Sequence, residues 1–223
     1  MLNETQIEQN WERFLEITSQ FKGEGKLKNR WDKLLDLFNI YAGRLSLMPA
    51  SSKKSYHSAY VGGFVQHTLN VYDAALGLTE VWKAQGAKID FTLEELTFVA
   101  LTHDLGKMGD EDHEFYVEQT DNWRRDRLGE LYGFNKELSF MKDHDRTVFL
   151  LMQHGITCSE TEYLAIKLQA GLYDEGNKAY LVSYSDEFKL HSNLPYIIHQ
   201  ADAMSDRIES MGDRRLLKKK KKA

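Results

Sequence analysis

Leu101-Thr102-His103-Asp104-Leu105-Gly106-Lys107 closes an apolar run and sets an imidazole, a carboxylate and an ammonium within five positions. Imidazole nitrogen and carboxylate oxygen together suit a divalent first-row metal. A lysine so close can hold a phosphate as a point charge. The residues ahead of this stretch predict a helix. Thr92 followed by Glu95 forms a capping box before Leu96, Phe98, Val99 and Leu101, and Gly106 reads as the glycine that stops it. His103 and Asp104 then stand in the last turn, where a long and a short side chain can converge on one ion. A helix end with ordinary polar residues is the competing reading, and the rest of the chain decides between them.

A helix is predicted from about residue 60 to 85, beginning Val61-Gly62-Gly63-Phe64-Val65-Gln66-His67. Phe64 and Val71 lie at i−3 and i+4 from His67, which puts this histidine on the buried side. Taken alone, such a residue is read as an ordinary core histidine. Gly62 and Gly63 allow another backbone to come close. The last helix begins near Asn193-Leu194-Pro195, with Asn193 as N-cap and Pro195 in the first turn. Ile198 and Asp202 share one face of it, so Asp202 points toward apolar surroundings. A buried carboxylate needs a partner, and a salt bridge or a metal would serve.

The chain has 223 residues, enough for one full hydrophobic core. Only 2 prolines occur, and no alternating β-branched runs are bounded by turns, so an all-α single domain is expected. Helices at about 4–20 and 27–41 make residues 1–58 a pair of N-terminal helices packing on a core of residues 59–212. Further helices are predicted at about 145–154 and 160–169, and a loop or short strand at 184–190. The single Cys158 excludes an internal disulfide and fits a reducing compartment. With no signal-peptide pattern at the N-terminus and no run near the ~18 apolar residues of a membrane span, a cytoplasmic chain without membrane contact is expected. Net charge is −5, and Lys218 to Lys222 add five positive charges at one end, so the body is more acidic still. That disfavours broad nucleic-acid binding. Residues 213–223 read as a basic, disordered tail. Between 108 and 135, Phe115-Tyr116-Val117 and Trp123-Arg124-Arg125 can stack on a base and pair with phosphate, or equally cap an edge of the core.

His67, His103, Asp104 and Asp202 thus bring two imidazoles and two carboxylates from three helices, a set that leaves open positions on an ion. In this order the residues resemble the HD-domain metal-dependent phosphohydrolases, whose pattern is His, then His-Asp, then a distant Asp. The resemblance runs from about residue 60 to 209. It implies an all-α HD-type bundle, with those four residues holding a divalent metal (Mn, Fe, Mg, Co, Ni or Zn). It further implies hydrolysis of a phosphate ester or anhydride of a nucleotide-type substrate. Asp104 would hold the metal and orient water, and Lys107 would take a phosphoryl oxygen.

The chain also departs from the family's two-metal members. Ile166-Lys167-Leu168-Gln169-Ala170-Gly171 has Gln169 and Ala170 where those carry histidine or aspartate, and Arg124 follows Trp123 where related chains carry a histidine. The departure implies one metal, with Arg124, Arg125 and Gln169 binding substrate in place of a second ion. His113, His144 and His154 are the substitute ligands if a second ion binds, and His191 and His199 are read as surface or supporting residues. The expected function is hydrolysis of a nucleotide or nucleotide-derived phosphodiester. The alternatives are a nucleoside triphosphate hydrolase, a 3′ exonuclease, or a non-catalytic ligand-binding module on the same fold.

Overall fold

Asn3 accepts a hydrogen bond from the Gln6 amide while the Gln6 side chain returns to Asn3, so α1 (Glu4–Ser19) starts on a capping box. The computed structural model describes residues 1–21, 29–182 and 185–220, with 212–220 as backbone only. After α1 come α2 (Arg30–Ile40), α3 (Ala42–Leu45), α4 (Gly63–Ala84) and α5 (Leu93–Thr102). There follow α6 (Asp143–Gln153), α7 (Glu160–Leu168), α8 (Lys178–Leu181) and α9 (Leu194–Lys220). Among the described residues a single strand pair interrupts this all-α order: β1 (Tyr116–Glu118) pairs antiparallel with β2 (Tyr132–Phe134), Tyr116 opposite Phe134. The predicted start of α2 at Leu27, and Tyr184 in the segment read as loop or strand, lie outside the described residues. That segment contains a 3₁₀ turn at Asp186–Phe188.

The helices enclose one apolar cluster drawn from both ends of the chain. Phe14, Trp31, Leu34 and Phe38 from α1 and α2 join Phe64, Leu69, Phe98, Leu101, Ile166, Ile197 and Ala201. The N-terminal helices are therefore part of the core. Arg30 ties them in further. It is buried, with Nη2 2.9 Å from Glu94 and Nη1 2.8 Å from Glu162, and its guanidinium lies 4.3 Å above the Phe98 ring. α4 and α9 pack along one another at the centre, with α5 beside α4 and α7 against α9.

The end of α5 is what positions the polar residues. Thr92 and Glu95 form the capping box read from sequence. The helix then closes at Thr102, and the chain turns through His103 and Asp104 into a 3₁₀ turn, Leu105–Met108. Gly106 has another role than the helix-stopping glycine expected. Its backbone is not left-handed, its amide donates to Thr147 Oγ1 at 2.8 Å, and a Cβ on it would stand 1.9 Å from the Asp143 carbonyl oxygen. It is a glycine because α6 crosses there at backbone contact. Arg44 holds the following loop by donating to the carbonyls of Met108 at 3.3 Å and Glu111 at 3.3 Å.

One further expectation is corrected. Asn193 does not cap α9 with its side chain, which donates instead to the Lys88 carbonyl at 2.9 Å; Ser192 Oγ accepts from the Leu194 amide. The backbone of α9 runs to Lys220, and Lys221 and Lys222, in the segment read as a basic tail, lie outside the described residues.

Gly106→Ala should lower stability by about 1–3 kcal/mol, the usual cost of overpacking. Urea unfolding of the full chain measures it, and an unchanged midpoint would contradict the close approach of α6.

Candidate metal centre

α4, α5 and α9 bring His67, His103, Asp104 and Asp202 to one point. His67 Nε2 lies 3.1 Å from Asp202 Oδ1 and 3.9 Å from Asp104 Oδ2. His103 Nε2 lies 3.7 Å from Asp104 Oδ2 and 3.8 Å from Asp202 Oδ1. Donor atoms bonded to one ion at about 2.1 Å stand roughly 3.0–3.4 Å apart in octahedral or tetrahedral geometry. The four heads are therefore slightly wider than such a shell. His67, His103 and Asp104 are buried, and Asp202 opens toward a cleft.

Both rings are fixed from behind. His103 Nδ1 lies 2.9 Å from the Ala100 carbonyl oxygen. A carbonyl only accepts, so Nδ1 donates and Nε2 is left to face the site. That Nε2 is buried with no hydrogen-bond partner, an orphan that asks for an explanation. His67 Nδ1 sits 3.1 Å from Glu209 Oε1. Glu209 is held in turn by Asn70 Nδ2 at 2.8 Å and Ser58 Oγ at 2.6 Å. A carboxylate or carbonyl behind a histidine is the usual support of a metal-binding ring.

Lys107 Nζ is 2.5 Å from Asp104 Oδ2. Gln169 Nε2 donates to Asp104 Oδ1 at 3.3 Å. Asp104, Asp202 and Glu209 form a largely desolvated group of three carboxylates against the single ammonium of Lys107. A divalent ion beside two neutral imidazoles would balance them. Without an ion a proton does part of this work. Burial alone would lower the His67 pKa, but the bonds to Asp202 and Glu209 outweigh it and raise it to about 10. Burial would raise Asp104, yet Lys107 and both histidines hold it well below the usual carboxylate range. Lys107 is pushed above its ordinary value by Asp104 against desolvation. The residues present fit a divalent metal in charge, donor type and orientation.

Asp104, Asp202 and Lys107 line a cleft of about 160 Å³, whose walls include His57, Asp143, Gln169, Tyr173, His199 and Asp206. Gln169 is thus where sequence reading puts a substrate-binding residue, and His199 supports it, its Nδ1 lying 2.7 Å from the Gln169 carbonyl oxygen. Arg124 and Arg125 are not on these walls. Arg124 Nε donates to Glu130 Oε2 at 2.7 Å, and Arg125 Nη1 reaches Glu118 Oε1 at 3.2 Å. Asp121 accepts from the Arg124 amide and starts a π-helical turn that spends both guanidinia on neighbouring acids. The expectation that Arg124 stands in for a second ion is therefore withdrawn. His113 pairs with Asp110 at 3.2 Å, and the His154 ring meets Tyr41 edge-on. His144 is buried among Asp143, Asp145 and Asp174 at 3.5, 3.4 and 3.7 Å.

Sequence reading missed His57, Asp206 and Glu209. The His57 ring lies 4.5 Å from that of His67, and its Nδ1 pairs with Asp206. Asp206 and Glu209 follow Asp202 at i+4 and i+7, one stripe of α9, and that spacing was the available signal. His57 lies in a loop, where no periodicity points to it. Compared with models of known protein families, with curated proteins and with solved structures, the chain gives no match.

In the metal-free protein, the His67 ring should stay protonated through pH 8 and titrate near pH 10. Its folded pKa lies above the unfolded value of about 6.5. Its contribution to stability is then fully present below that pH and lost as pH rises through about 10. Nuclear magnetic resonance of labelled imidazoles checks this, and a His67 midpoint near 6.5 would contradict the arrangement.

Proposed function

We propose that the chain is an HD-type, metal-dependent phosphohydrolase acting on a nucleotide or nucleotide-derived phosphodiester. The observation that carries this reading is the convergence of His67, His103, Asp104 and Asp202 beside Lys107, with Asp104, Asp202 and Lys107 open to one cleft. Tethered lysine and amide donors next to a metal-type donor set suit a charged, oxygen-rich group better than a neutral one.

A divalent ion bound by the four residues supplies a Lewis acid and a water acidified toward neutral pH. The chain's own groups do the rest. Lys107 remains an ammonium at working pH, because Asp104 raises its pKa. It offers a fixed positive charge where phosphoryl oxygens gain charge in the transition state. Gln169, held by Asp104 on one side, has a second amide hydrogen for another phosphoryl oxygen. Asp104 keeps Lys107 and Gln169 in register with the donor set, so binding of the ion and of the phosphoryl group are linked.

The nucleotide part of the reading rests on the rim. Tyr173 is 96% exposed yet lines the cleft, an aromatic face free to stack on a base. Asp143 and Asp206 on the walls can accept from sugar hydroxyls, and they disfavour additional phosphates. No helix among the described residues is long and apolar enough to cross a membrane.

Purified full chain should release phosphate or nucleoside monophosphate from members of a nucleotide and dinucleotide panel only with an added divalent metal. Lys107→Met should lower kcat by about 10²-fold or more, the usual effect of removing one such donor. Asp104→Ala should abolish metal retention while the circular dichroism spectrum stays helical. Cleavage confined to triphosphates or to 3′ ends would favour the alternative activities. Metal-dependent binding without turnover of any panel member would leave the non-catalytic module.

A further inference from the structure

His57 stands ten residues before His67, on a loop laid against the start of α4. Ser51 Oγ donates to the His57 carbonyl, and the Ala50 amide donates to the Ser58 carbonyl at 3.1 Å. A Cβ on Gly63 would stand 2.0 Å from that same Ser58 oxygen, so only glycine lets the loop lie this close. The result is a third imidazole, on the wall of the cleft and tilted 36° to the His67 ring.

The three rings share one arrangement. Each presents one nitrogen to an acceptor of the surrounding helices: His67 to Glu209, His103 to the Ala100 carbonyl, His57 to Asp206. For His103 and His57 the other nitrogen, Nε2, is buried without any hydrogen-bond partner. Two such orphans beside two carboxylates are a large desolvation cost if nothing binds between them. His57, His67 and Asp104 each offer a donor atom, all three within 4.8 Å of one another, and His67, His103 and Asp202 do the same. His57 thus joins the set through His67 and Asp104.

We infer that His57 is a third imidazole ligand of the metal assigned above to His67, His103, Asp104 and Asp202, with Asp206 as its positioning residue. The inference rests on the phosphohydrolase reading only as far as metal binding. His67 cannot serve two ions, since Glu209 occupies its Nδ1, so His57 completes the shell of one ion. Five protein donors would leave the ion little room beyond one water or phosphoryl oxygen. Three neutral nitrogens also select against Mg²⁺, which takes oxygen donors, and toward Fe²⁺, Co²⁺, Ni²⁺ or Zn²⁺.

The test is X-ray absorption at the metal edge on full chain loaded with Co²⁺ or Zn²⁺, with affinities from chelator competition. Wild type should show three imidazoles per ion, and His57→Ala two, with affinity lower by about 10-fold or more. Asp206→Asn keeps the ring but removes its charged support, and should weaken binding by about 10-fold, as loss of such supports does. If His57→Ala fails to fold, the wild-type spectrum and Asp206→Asn decide. Two imidazoles per ion in wild type, or a His57→Ala affinity within twofold of wild type, would overturn the third ligand while leaving the four-residue metal site intact. A chain that retains no metal at all would overturn both.

Discussion

Three carboxylates are drawn largely out of water between α4, α5 and α9, against one ammonium. That imbalance governs the centre of the molecule. Burying unpaired charge is costly, so several neighbouring polar groups are spent on it. Lys107 is folded onto Asp104, Asn70 and Ser58 donate to Glu209, and the His67 ring is driven to hold a proton. A protein assembled for stability alone would fill this seam with apolar side chains, which are often as stable or more so. Retaining it fits a site whose missing charge arrives with a bound cation.

The surrounding fold makes the seam rigid. α9 supplies Asp202, Asp206 and Glu209 from one stripe, while Ile197, Ile198 and Ala201 nearer its start pack into the core. α4 answers with His67 and Asn70, one turn apart. The sharp exit from α5 turns Asp104 toward α9, and α6 locks that exit by contact at Gly106. The buried Arg30, bonded to Glu94 and Glu162, fastens α2 to α5 and α7 behind the site. Each donor head is thus borne on a packed element and braced by a second residue, the condition for holding a metal shell near its productive geometry.

Much of this was legible in the sequence, for definite reasons. The capping box at Thr92 and Glu95 and the apolar periodicity around His67 and Asp202 are local signals, and they carried the helices and the inward faces. Gly106 was read as a stop signal, because contact with α6 is a tertiary fact that no local pattern encodes. Arg124 and Arg125 look like phosphate ligands by composition, but Glu130 and Glu118 lie near enough in the folded chain to claim them. His57 was invisible for the opposite reason. It sits in a loop, and only the packing of that loop on Gly63 carries its ring to the others.

The most direct measurement is anomalous diffraction at a metal edge from crystals of the full chain grown with Mn²⁺ or Co²⁺. The account predicts a single dominant peak enclosed by His67 Nε2, His103 Nε2, Asp104 and Asp202, at about 2.0–2.3 Å from each. A peak elsewhere, or none at this point while His67 still pairs with Asp202, would contradict it.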